Sequence, residues 1–188
     1  MNNTESNVEL TLPASDVAAP SKRLLSDDAY RRIDREVRKF PPEGKGSAVM
    51  AALGIAQQEK GWLSTETMAD VADYLELPAI AVQEVATFYN MYNLKPTGRH
   101  KITVCTNLPC ALSGGARAGE YLKRKLGIDY RDTTDDGAFT LLEGECMGAC
   151  GDAPVLLVDN HRMESWMSDE KLDRLLDELN TPSTSKPA

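Results

Sequence analysis

Apolar residues recur at three- and four-residue intervals in the first half of the chain and gather into short β-branched runs in the second. The stretch "DDAYRRIDREVRKF" predicts a helix that stops at Pro41-Pro42, because proline cannot continue a helical ladder. In "SAVMAALGIAQQEKGW", Val49, Leu53 and Ala56 share one face, and Gly61 suits the residue just past a helix end. "STETMADVADYLEL" offers Ser64 as an N-cap. Its Met68, Val71, Ala72 and Leu75 follow the i, i+3, i+4, i+7 spacing. "PAIAVQEVATFYNMYNL" opens on Pro78, a residue suited to the first helical turn. Val82, Val85, Tyr89 and Tyr92 then line one side, so the pattern predicts helix as far as Leu94. Four short amphipathic helices with tight connections predict a helical bundle over residues 26–94.

"KPTGRH" reads as a linker that would let the two halves separate. Beyond it the period changes. "HKITVCTN" predicts a strand, and "SGGARAGEYLKRKLG" a helix with Lys123, Arg124 and Lys125 near its negative end and Gly127 after it. "AFTLLEG" and "APVLLVDN" predict two more strands, with "HRMES" able to pair with the latter as a hairpin. "SDEKLDRLLDELN" predicts a last helix with Leu172, Leu175, Leu176 and Leu179 on one face. The order β-α-β-β-α indicates a compact mixed sheet with helices packed on it, over residues 95–180. The fold class is α+β. Residues 1–25 and "TPSTSKPA" (181–188) have the composition of a disordered leader and tail.

Charge and composition narrow the function. Apolar residues make up 41% of the 188, enough for a packed core, but no run is long enough to cross a bilayer. A net charge of −8 argues against a nucleic-acid partner. The polar leader, with Glu5, Glu9 and Asp16, lacks the marks of a secretory or transit peptide. A reducing compartment is therefore expected, where paired cysteines are more often metal ligands or catalytic groups than disulfides.

The chain has four cysteines in two close pairs, Cys105/Cys110 and Cys146/Cys150. Cys105 falls at the end of the first predicted strand and Cys110 in the loop before the helix. Cys146 and Cys150 fall in the loop between the second and third strands. If those strands neighbour the first, both loops leave the sheet at one end and four thiolates converge. Three occupants compete. A structural zinc site uses close pairs with two to four intervening residues; the gaps here are four and three. A dithiol redox site favours Cys-x-x-Cys, which neither pair has. A 2Fe-2S cluster takes four thiolates, two on each iron, and two pairs on two loops supply them. Gly148, Ala149 and Gly151 let backbone N–H groups approach the sulfurs of such an anion. The helix starting near Ser113 turns its positive end toward the first pair. Spacing and loop composition favour the cluster, with zinc next and a disulfide or free thiols last.

Other features read as structural. His100 and His161 are the only histidines, and neither stands in the Cys-x-His setting of a Rieske site. "EGKGS" lacks phosphate-loop spacing and reads as a helix start; no G-x-G-x-x-G occurs. The rings of "ATFYNMY" read as bundle packing, some of them as partner anchors. "RRIDREVRK" reads as a solvated face. Pro154 fixes the exit from the second cysteine loop.

The stretches "EVATFYNMYNLKPTGRHKITVCTNLPC" and "GECMGACGDAPVLLVD" resemble the thioredoxin-like 2Fe-2S subunit family of NADH:quinone oxidoreductase, respiratory complex I. So do "SAVMAALGIAQQEKGWLS" and "VATFY". The family pattern, Cys-x4-Cys followed by Cys-x3-Cys, matches Cys105, Cys110, Cys146 and Cys150, and the resemblance covers roughly residues 26–180. It implies a thioredoxin-like domain carrying one low-potential 2Fe-2S cluster on those cysteines. It implies a partner subunit that binds FMN and NADH, further iron–sulfur subunits of the peripheral arm, and no direct membrane insertion. The implied location is cytoplasmic, peripheral to the inner face of the cytoplasmic membrane through the complex. Related subunits in NAD-linked hydrogenases and formate dehydrogenases stay open, as does a zinc-stapled adaptor without redox function.

Overall fold

In a computed structural model that describes residues 23–181, the Ser26 hydroxyl caps the first helix by accepting the Ala29 N–H at 3.2 Å. That helix, α1 (Asp27–Val37), buries Ala29, Tyr30 and Ile33 and ends before the prolines. Most of the expected leader and tail lies outside the described residues. Leu25, assigned to the leader, is instead buried in the core, and its N–H donates to the Tyr30 hydroxyl. A 3₁₀ segment, Pro42–Ala48, takes the place of the expected helix start and leads into α2 (Val49–Lys60). Gly61, at φ 81°, ends α2 as anticipated. α3 (Thr65–Leu75) is capped by Ser64, which accepts the Thr67 N–H at 3.1 Å. α4 (Ala79–Phe88) follows Pro78. Ile33, Leu53, Val71, Leu75 and Val82 form the centre of this bundle. Inside it the Tyr30 hydroxyl donates to Asp70 Oδ2 at 2.6 Å. Burial, reinforced by that carboxylate, pushes the phenol up to about 12.

α4 stops at Phe88, short of the expected Leu94, because the following residues find tertiary partners that a helix would deny them. Tyr89 is extended and half-exposed. The Tyr92 ring is buried, though in a turn rather than on a helix, and its hydroxyl donates to the Met50 carbonyl at 2.8 Å. Asn93 N–H donates to Gln57 Oε1 at 2.5 Å, and Leu63 N–H donates to the Asn93 carbonyl at 2.8 Å.

The second half opens with β1 (His100–Cys105), then a short α5 (Leu108–Leu112), α6 (Gly115–Leu126) and β2 (Phe139–Gly144). β3 (Leu156–Val158), β4 (Arg162–Glu164) and α7 (Asp169–Asn180) complete it. The sheet order is β2-β1-β3-β4. β1 and β2 are parallel, with Cys105 opposite Gly144, which requires a crossover such as α5–α6 supplies. β3 runs antiparallel to β1, with Ile102 opposite Val158, and β4 antiparallel to β3. Ile102, Val104, Leu122, Leu141, Leu156 and Leu172 join the sheet to α6 and α7.

The two halves have separate apolar cores, and polar groups join them. Lys101, on β1, is only 4% exposed, and its ammonium donates to Asn93 Oδ1 at 2.7 Å. Burial, partly offset by Asp159, lowers its pKa from the ordinary 10.5 to about 8. Between those values the unfolded chain holds a proton that native Lys101 has released. Stability therefore rises with pH across that window, and below it the fold is less stable than it would be with a neutral amine at Lys101, by up to roughly 3 kcal/mol. Urea titrations at pH 7 and pH 10 are expected to show this rise in the natural chain relative to Lys101→Met, which has no such proton to lose. Equal pH dependence in both would count against a buried ammonium.

Candidate metal centre

The register of the sheet builds the site. Cys105 ends β1, and both of its neighbours, β2 and β3, reach the same end of the sheet. Cys105 N–H donates to the Val155 carbonyl at 3.1 Å, and Thr106 N–H to the Gly144 carbonyl at 3.2 Å. The loop carrying Cys146 and Cys150 is thereby held beside the segment carrying Cys110. The condition set by the sequence, that the first strand lie between the other two, is met.

Cys110 departs from expectation in one respect: it lies in α5 rather than in a loop. Pro109 occupies the first turn of that helix, where its missing N–H costs nothing. Cys105 and Cys110 are buried and pack with Val155, Met147, Ala149 and Ala153, residues of the other loop. Cys146 and Cys150 are exposed; all four are free thiols. Cys150 opens a 3₁₀ turn, Cys150–Asp152, and the Ala153–Pro154 peptide that follows is cis.

Two glycines shape the site, Gly115 by a close approach and Gly148 by its left-handed backbone. A Cβ at Gly115 would stand 2.7 Å from the Cys105 carbonyl oxygen and 2.9 Å from that of Cys110. The N-terminus of α6 thus rests directly on both cysteines, and its positive end favours charge accumulating there. Gly148, at φ 73°, turns its N–H onto Cys146 Sγ at 3.4 Å, the kind of contact that offsets charge on a ligating sulfur.

The thiols act on one another. Burial pushes the Cys110 thiol up, and hydrogen bonding to Cys105 and the nearness of Cys150 add to it. Cys150 is raised chiefly by its hydrogen bond to Cys146, with Cys105 contributing. Four thiolates therefore repel one another unless a cation compensates them, so metal binding and proton release are linked. The side chains stand as two pairs, 105 with 110 and 146 with 150. Among the described residues no group of three or more His, Cys, Asp or Glu side chains is gathered to hold one metal ion. A four-cysteine zinc site needs every sulfur at about 2.3 Å from a single point. A 2Fe-2S cluster needs two sulfurs at each of two irons, and hydrogen bonds here pair Cys110 with Cys105 and Cys150 with Cys146. The donor set fits the cluster.

Both histidines lie at the other end of the sheet. His100 Nδ1 is 2.8 Å from Asp159 Oδ2, and His161 Nδ1 is 2.6 Å from the Asp159 carbonyl. Three exposed apolar side chains flank the cysteines and gave no signal in the sequence. Leu108 and Leu112 project from α5, 69% and 81% exposed. Trp166, 59% exposed, is tied by its N–H to the Asp152 carbonyl at 2.8 Å.

Comparison with known proteins places the chain in a family. The sequence pattern of the thioredoxin-like [2Fe-2S] ferredoxin family matches residues 33–180. The chain is 43% identical over 145 residues to the NADH-quinone oxidoreductase E subunit of Rickettsia felis, covering 77% of this chain and 86% of that protein. It is 33% identical over 165 residues to NADH-quinone oxidoreductase subunit 2 of Thermus thermophilus, covering 83% and 91%. Among solved structures, an NAD+-reducing [NiFe]-hydrogenase in the H2-reduced state superposes with a TM-score of 0.61 at 21% identity. That match covers 72% of this chain and 23% of the hydrogenase chain, and it speaks to the fold.

Proposed function

We propose that this chain, which belongs to the thioredoxin-like [2Fe-2S] ferredoxin family, is the corresponding electron-transfer subunit of an NADH-quinone oxidoreductase and holds one cluster on Cys105, Cys110, Cys146 and Cys150. The observation that carries the reading is the packing of Cys105 and Cys110 against the loop that bears Cys146 and Cys150, in a chain 43% identical to such a subunit. When bound, the cluster supplies a one-electron centre. The residues of this chain hold it and govern its charge: four thiolates as ligands, Gly148 N–H toward sulfur, and the N-terminus of α6 behind the buried pair.

Exposed Leu108, Leu112 and Trp166 beside the cysteines support a partner protein that covers this end. In this reading the partner carries FMN and NADH, and further iron–sulfur subunits complete the peripheral arm. No described helix is long and apolar enough to span a membrane, so attachment to the inner face of the cytoplasmic membrane runs through those subunits. The curated relatives favour this assignment over the equivalent subunit of a hydrogenase, whose structural likeness is at 21% identity. The family to which the chain belongs favours it over a zinc-stapled adaptor.

The bundle and the sheet are two domains, residues 26–94 and 95–180, with the bundle serving chiefly to dock. Their separate cores support this division. A chain beginning at Pro96 is expected to keep its cluster, read by visible absorption, and to lose affinity for the flavin-carrying partner. Loss of the cluster from a soluble shortened chain would make the bundle part of the site.

A further inference from the structure

The end of the stretch that the sequence presents as the fourth helix, just before the expected linker, is gripped from both sides. On the bundle side, Gln57 Nε2 donates to the Met91 carbonyl at 3.0 Å and Gln57 Oε1 accepts the Asn93 N–H at 2.5 Å. The Tyr92 hydroxyl reaches Met50, and Leu63 N–H donates to the Asn93 carbonyl. Residues 91–93 thus belong to the bundle. On the sheet side, two side chains reach across to the same three residues. Lys101 Nζ donates to Asn93 Oδ1 at 2.7 Å, and Asn160 Nδ2 donates to the Met91 carbonyl at 2.8 Å.

The reaching groups are themselves anchored. Lys101 sits in the β1 ladder, and its backbone N–H donates to Asp159 Oδ1 at 2.8 Å. Asp159 and Asn160 form the turn between β3 and β4, both in the left-handed region at φ 51° and 67°, a conformation that Asp and Asn tolerate better than most residues. Asp159, the charged group that acts on Lys101, also faces His100 Nδ1 at 2.8 Å. A buried ammonium needs a fixed acceptor, and here that acceptor belongs to the other half of the molecule.

We propose that Lys101 and Asn160 form a polar clamp that holds the helical bundle in one orientation on the cysteine-bearing domain. Resting on the reading that the bundle docks and the sheet domain carries the cluster, the clamp fixes how far the four cysteines stand from whatever the bundle docks against. It makes a rigid joint beside the expected linker without an apolar interface. Each half can then fold about its own core while the angle between them is set by two hydrogen bonds.

The test uses the full-length chain and the double variant Lys101→Met, Asn160→Ala. The methionine retains the volume of the lysine stem, so the sheet core stays filled. In the natural chain, NMR relaxation is expected to give one tumbling time for amides of residues 27–88 and 100–180. In the variant the two sets are expected to separate, with the visible spectrum of the cluster unchanged. Proteolysis within residues 93–99 is expected to become on the order of 10- to 30-fold faster, as the loss of two hydrogen bonds of ordinary net worth implies. A natural chain that already tumbles as two bodies overturns the clamp. So does a variant that tumbles as one and resists cleavage like the natural chain. Neither readout involves the flavin-carrying partner, so a failed docking experiment would count against the functional reading and not against the clamp.

Discussion

Replacing Cys105 or Cys146 by alanine is expected to abolish the visible colour of the iron-loaded chain, while His100→Ala and His161→Ala leave it intact. The effect is all-or-none because each iron needs two of the four sulfurs, and the chain contains no spare cysteine. A carboxylate or water that replaced one thiolate would change the colour as well as weaken the cluster. Both histidines are held against Asp159 at the far end of the sheet. The two cysteine substitutions should differ in what else they disturb. Cys105 is buried against Val155, so its loss also opens a small cavity. Cys146 is exposed, and its loss should leave the apo fold close to its natural stability. Absorption spectra and iron content of the four variants, purified without oxygen, decide the matter. A histidine variant that bleaches the protein would overturn the ligand assignment.

The second large effect is an absence of activity. This chain alone is expected to oxidise no NADH, and turnover is expected only after the flavin-carrying subunit is added. NADH gives up two electrons together as a hydride, and flavin chemistry joins that step to one-electron centres. The sequence has no G-x-G-x-x-G fingerprint for a dinucleotide. The residues of the site are thiols and backbone N–H groups, which hold and stabilise a cluster but offer no seat for a nicotinamide. NADH–ferricyanide assays on the chain alone, the partner alone and their complex are expected to give background, activity and activity. Sustained turnover by the purified chain, free of flavoprotein, would mean that it is more than an electron carrier.

Much of this was legible because the informative signals are local. Ser64 caps through its own hydroxyl, and Gly61 and Gly127 end helices in the left-handed conformation. Each needs only its immediate neighbours. The convergence of the cysteines was legible conditionally, since spacing placed each pair on a loop but strand adjacency had to be assumed. What escaped was set by distant parts of the chain. α4 keeps a helical pattern past Phe88, yet Tyr92 and Asn93 bond to Met50, Gln57 and Leu63 instead. α5 is five residues long, too short for any period to register. Lys101 alternates with Ile102 in the manner of a solvent-facing strand residue. Nothing near it in sequence shows that residues 91–93 will bury it.

The central claim is that four cysteines hold one two-iron cluster. The most direct test is low-temperature EPR of the anaerobically purified chain, supplied with iron and sulfide and reduced with dithionite, alongside its metal content. The account predicts two iron and two sulfide per chain and a one-electron paramagnetic signal of the 2Fe-2S type. Stoichiometric zinc with no such signal would contradict it.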